Sequence, residues 1–143
     1  MSQEHEARNT SAPGVWPGLG YQDARAGLRF LTEVLGFTES LTVDGGQGRI
    51  AHAELLWPEG GGVMFGSLGP KDTPGTAGIY VVTADPDSVH ERAVEAGATV
   101  RHAPYDTDYG SRNVTLLDPE GNSWTFGTYA GAAATSSSTD PRT

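Results

Sequence analysis

His52 and Glu54 stand two residues apart in a strand-like run, so an imidazole and a carboxylate share one face of the strand. Such a pair can pass protons, with His52 as general base and Glu54 orienting it, although the same spacing also serves a simple surface pair. The segment Tyr105-Asp106-Thr107-Asp108-Tyr109-Gly110-Ser111-Arg112 crowds two aromatics, two carboxylates and a guanidinium into what reads as a loop entering a strand. Tyr105 and Tyr109 can stack on a flat or cationic ligand, and Asp108 can neutralise an amine. Arg112 can stabilise an enolate-like charge or pair with Asp106 or Asp108. Trp57, like Trp16 and Trp124, suits either a ligand platform or the core.

Other chemistries are absent from the chain. It has no cysteine, which removes thiolate nucleophiles, disulfides and Cys-ligated zinc and fits a reducing, cytoplasmic setting. No Gly-x-Ser-x-Gly elbow occurs, and Gly45-Gly46 and Gly60-Gly61-Gly62 lack the strand-to-helix context of a phosphate cradle. A net charge of -9 and a pI near 4.7 repel nucleic acid and anionic lipid, and no apolar run is long enough to span a bilayer.

The elements that must hold these residues come from an internal repeat. Leu55-Leu56 with Pro58-Glu59-Gly60 and Phe65-Gly66 lies in register with Leu116-Leu117, Pro119-Glu120-Gly121 and Phe126-Gly127, and the same shift carries Gly36 onto Gly97. Asp23 caps a helix bearing Leu28, Leu31 and Leu35 that stops at Gly36; Asp85-Pro86 opens a second with Val89, Ala93 and Ala96 that stops at Gly97. Strands are expected before the helices at 15–21 and 77–83, the second with a fully buried Ile79-Tyr80-Val81-Val82 core. Three more follow each helix, at 37–43, 49–57 and 62–68, then at 98–103, 109–117 and 122–129, broken by Asp-Gly and Pro-Glu-Gly turns. In the run 49–57, alternation groups Ile50 with His52, Glu54 and Leu56 against Ala51, Ala53 and Leu55. The unit is βαβββ, twice: modules 14–68 and 77–129 in one domain, a linker at 69–76, and polar or low-complexity tails at 1–13 and 130–143 expected to be disordered.

A doubled βαβββ module, with Asp23 before a helix ending Leu35-Gly36-Phe37 and Asp118-Pro119-Glu120-Gly121-Asn122 before the last strand, resembles the vicinal oxygen chelate superfamily of glyoxalases, bleomycin-resistance proteins and extradiol dioxygenases. The resemblance implies an α+β fold in which the two modules form a cup-shaped, partly open mixed β-sheet barrel with helices outside. Metal-dependent members carry His, Gln or Glu on the first and last strand of each module. By position, the last-strand residues here are Met64 and Thr125, and the opening strands contain none of these ligands. The resemblance therefore implies a metal-free, cofactor-free protein that binds an aromatic or cationic small molecule, as in drug or natural-product sequestration, and forms a homodimer. His52, Glu54, Trp57, Met64, Tyr105, Asp108, Tyr109, Arg112 and Thr125 are its candidate ligand contacts. A metal-independent lyase or isomerase using His52 as base is the first alternative, and a metal-dependent lyase or dioxygenase of the same superfamily the second.

Overall fold

A computed structural model describes residues 13–132, so all but residue 13 of the first tail and 130–132 of the second lie outside the described residues. The first module runs β1 (Gly18–Tyr21), α1 (Ala24–Arg29), β2 (Thr38–Gly46), β3 (Arg49–Leu56) and β4 (Gly62–Ser67). The second runs β5 (Gly78–Val82), α2 (Pro86–Glu95), β6 (Thr99–Asp106), β7 (Arg112–Leu117) and β8 (Ser123–Gly127). The doubled α+β unit is therefore present. Each module makes one four-stranded sheet, ordered β1-β4-β3-β2 and β5-β8-β7-β6, with the opening strand parallel to the last and the other pairs antiparallel. Neither sheet closes into a barrel; each curves into an open cup. No helix among the described residues is long and apolar enough to cross a membrane.

Both helices start as their caps dictate. Asp23 accepts from the Ala26 N–H and Asp85 from the Ser88 N–H, each at 3.1 Å, with Pro86 at the first turn of α2. Beyond α1 the helix widens into π-helical turns over Phe30–Leu35, where the Thr32 hydroxyl bonds back to the Leu28 carbonyl at 2.8 Å, before Gly36 ends it at φ 94°. That turn buries Leu31 and Leu35. Arg92 of α2 lies against Gly36 and donates to the Glu33 carbonyl, joining the helical segments of the two modules.

One core serves both modules. Phe37 packs on Trp57 and Trp124 at ring-centroid distances of 5.0 and 5.6 Å, and Trp57 on Phe126 at 5.5 Å, so the aromatic cluster crosses the seam. Tyr21 inserts between Gly27, where a side chain would strike its ring, and Phe65, and reaches Asp118 of the other module with its hydroxyl. The repeated Pro-Glu-Gly segments are turns as expected, but they also cross the seam in opposite directions. Glu59 accepts from the Thr83 hydroxyl and the Ala84 N–H at the entrance to α2, while Glu120 accepts from the Gln22 and Asp23 N–H groups at the entrance to α1.

Four local expectations change. β5 is half-buried rather than fully buried: Val81 faces the core while Tyr80 and Val82 are exposed, because β5 is an outer strand with one open face. In β3 the alternation breaks at its start, where a register irregularity opposite Val43 and Asp44 turns Ile50 into the core and leaves Ala51 exposed. β6 continues through Tyr105 and Asp106, so only the residues between Asp106 and Arg112 form the hairpin turn. β1 begins at Gly18 instead of residue 15.

Candidate functional site

Sheet pairing sorts the candidate residues. On the first sheet, His52 and Glu54 of β3 share the solvent-side face with Met64, which is paired with Glu54. His52 Nε2 lies 2.8 Å from Glu54 Oε2, with both side chains partly open to solvent. Leu41 and Val43, paired with Glu54 and His52, are exposed on the same face.

On the second sheet, Tyr105, Tyr109 and Thr125 meet around an open concavity of about 410 Å³, together with Tyr80, Asn113 and Thr115. The Thr115 and Thr125 hydroxyls are 2.8 Å apart across β7 and β8 and form the floor. Tyr80 donates to the Tyr129 carbonyl at 2.7 Å, Tyr105 stacks against His102 at 4.8 Å, and Tyr109 meets Tyr129 edge-on at 5.8 Å. The wall is therefore aromatic and the floor is made of neutral hydrogen-bonding groups.

The remaining candidates lie elsewhere. Trp57 is buried in the core; its Nε1 donates to the Val82 carbonyl at 2.8 Å, and its ring borders a separate cleft of about 490 Å³ at the seam. Arg112 precedes Asn113 on β7 and so projects from the opposite face. There its guanidinium holds Asp87 of α2 through Nε and Nη2 and Asp106 through Nη1, at 3.0–3.1 Å for the shortest contacts. These hydrogen bonds hold the Asp87 carboxyl below its ordinary value and raise Arg112 above its own. Asp106 is committed to that pair, and Asp108 is exposed on the hairpin turn.

Sequence reasoning missed Tyr80, Asn113 and Thr115. The signal was available for two of them: the shift that lays Pro-Glu-Gly on Pro-Glu-Gly also lays His52 and Glu54 on Asn113 and Thr115. Both sheets thus carry a polar pair at the same place, ionisable in one and neutral in the other.

The metal positions implied by the resemblance can be tested on the donors present. Gly18 and Gly20 of β1, Met64 of β4, Tyr80 of β5 and Thr125 of β8 share paired positions on the open faces. A thioether, a phenol and a hydroxyl do not make a site for a hard divalent ion. Among the described residues no three His, Asp or Glu side chains converge.

The family model described as the glyoxalase/bleomycin resistance protein/dioxygenase superfamily matches residues 15–126. An uncharacterized protein of Mycobacterium bovis is 31% identical over 126 residues, covering 80% of this chain and 82% of its own. Among solved structures, TioX from Micromonospora sp. ML1 is 29% identical with a TM-score of 0.66, over 80% of this chain and 98% of TioX. The fosfomycin resistance protein FosX from Mesorhizobium loti, 16% identical with a TM-score of 0.60 over 82% and 92% of the two chains, shares the fold.

Proposed function

Since this chain belongs to the glyoxalase/bleomycin resistance protein/dioxygenase superfamily, we propose that it is a metal-free binding protein for a small aromatic molecule, held in the concavity of the second sheet. One observation carries this reading: three tyrosines, Tyr80, Tyr105 and Tyr109, ring a floor of uncharged hydrogen-bonding groups, bordered by His102 beside Thr115 and Tyr105, and among the described residues no three His, Asp or Glu side chains converge. The concavity is open on one side, so its aromatic faces and not its volume would select the ligand, and aromatic stacking contributes about 0.5–1.5 kcal/mol per pair beyond area burial. Drug or natural-product sequestration is the role that fits a site built to hold rather than to transform.

The site is shared with a second copy of the chain. Leu41 and Val43 on the first open face and Tyr80 and Val82 on the second expose apolar surface that a partner would cover, consistent with a homodimer. Sedimentation followed at the absorbance band of a tricyclic aromatic probe such as acridone reads both claims together. The probe is expected to travel with a species of twice 15.0 kDa. Acridone and its cationic analogue 9-aminoacridine both remaining unsedimented would sink the binding reading, and probe travelling at the monomer mass would sink the homodimer alone.

The 2.8 Å contact between His52 and Glu54 favours a second reading, a metal-independent lyase or isomerase with His52 as base. In that case His52→Ala lowers turnover of a carbonyl substrate by roughly a hundredfold or more with the fold retained; turnover unchanged by the substitution excludes this base.

A further inference from the structure

Ser111, Asn113 and Tyr129 form a short relay whose direction follows from what each atom can do. The Tyr129 N–H can only donate, and it lies 3.1 Å from Ser111 Oγ, so the serine oxygen accepts there. Ser111 Oγ is also 2.6 Å from Asn113 Oδ1, which can only accept, so the serine hydrogen goes to the amide oxygen. Turning the amide over would set an N–H against that accepting serine and leave the buried hydroxyl hydrogen without a partner. The amide nitrogen of Asn113 is thereby fixed on the side away from Ser111.

On that side is the concavity. Asn113 is 5% exposed, yet its Nδ2 has one contact there, the Tyr109 hydroxyl at 3.4 Å, longer than an ordinary N–H···O bond. Tyr109 itself is 60% exposed and ill suited to satisfy a buried donor. Beside Asn113, the Thr115 and Thr125 hydroxyls share one hydrogen bond and retain a second hydrogen. The Tyr80 hydroxyl hydrogen is spent on the Tyr129 carbonyl. The floor thus presents one buried amide donor in search of an acceptor, beside threonine hydroxyls that can give or take a hydrogen bond. Of the nearby carboxylates, Asp87 and Asp106 are turned to Arg112 on the other face of β7.

Resting on the binding reading above, the geometry points to a ligand class: an uncharged planar aromatic with a ring carbonyl, whose oxygen accepts from Asn113 Nδ2 while its rings lie among Tyr80, Tyr105 and Tyr109. Selectivity comes from the amide, because every tyrosine face tolerates any flat ring, whereas a buried donor rejects a ligand that brings another donor.

Acridone and 9-aminoacridine share one tricycle; the first is neutral with a carbonyl, the second a cation at neutral pH with an amine in its place. The chain's net charge of -9 attracts the cation, so a preference for acridone runs against the overall field. Fluorescence titration of the full chain is expected to show acridone binding about tenfold tighter than 9-aminoacridine. Asn113→Asp keeps an oxygen for Ser111 and replaces the donor with a carboxylate oxygen, so it is expected to reverse the order. Equal or tighter binding of 9-aminoacridine by the native chain overturns the assignment while leaving aromatic binding intact. So does an acridone preference that a folded Asn113→Asp variant leaves unchanged. Should that variant unfold, the native ratio decides alone, and failure of both tricycles to bind removes the binding reading and this one together.

Discussion

Asp118→Ala is expected to lower the unfolding free energy by about 3–5 kcal/mol, a large part of the total for a domain of this size. Asp118 is 5% exposed and sits where the modules meet. Its Oδ2 accepts from the Tyr21 hydroxyl at 2.7 Å, Asn122 Nδ2 at 2.9 Å and Trp124 Nε1 at 3.1 Å, and its Oδ1 from the Glu120 and Asn122 N–H groups at 3.0 Å. Alanine leaves those donors buried and unpaired, each costly on its own, and frees the turn that carries Glu120 across the seam. Tyr21→Phe removes one donor and leaves the other four, so it should cost about 1–2 kcal/mol. Burial, reinforced by the Asp118 charge, pushes the Tyr21 phenol well above its ordinary 10.0. The unfolded chain therefore releases that proton first, so the stabilisation is complete below pH 10 and declines as pH rises beyond it, a decline that Tyr21→Phe removes. Urea unfolding of the two variants, near neutral pH and above pH 10, checks both statements; a loss under about 1 kcal/mol for Asp118→Ala would show that the network holds nothing together.

Gly127→Ala should cost roughly thirtyfold in acridone affinity while leaving a folded protein. Gly127 pairs with Val82 and Asn113, and a methyl built on it would strike Asn113 Oδ1 and the hydroxyl end of Tyr80. The backbone does not forbid alanine, since Gly127 is not among the positive-φ glycines. Asn113 cannot retreat because Ser111 holds its oxygen, so the Tyr80 ring must move, give up the Tyr129 carbonyl and reshape the concavity. Thermal unfolding separates this from general damage. A variant that stays folded and binds acridone within about threefold of the native chain would move the ligand out of the second sheet.

Much of the scaffold was legible because its signals are local. The cap at Asp23, the Asp85-Pro86 start and the Pro-Glu-Gly turns each act within a few residues, and the repeat places them twice. What failed needed the third dimension. Arg112 and Asn113 are adjacent, and nothing in their order says which one faces the helix and which the open cup; packing of α2 on β7 decides it. Tyr80 sits in an apolar run that reads as buried, but the outer position of β5 leaves every second residue uncovered. Trp57 by its type suits either a platform or the core, and only packing shows that it joins the aromatic cluster between the modules while its ring borders the seam cleft. The His52 and Glu54 spacing does show in the sequence as a same-face pair, and the two side chains meet at 2.8 Å. Its neutral counterpart in the other half, Asn113 and Thr115, is legible only through the repeat, because amides and hydroxyls carry no charge signature.

The opposed reach of Glu59 and Glu120 bears on what counts as a unit in this chain. Cut at the connector, either half would keep a helix whose entrance waits for a carboxylate it does not own, and a carboxylate whose partners are gone. The sequence is divisible by two, but these contacts tie the halves together: substitution of Glu59 or Glu120 in one copy is felt at the helix entrance of the other.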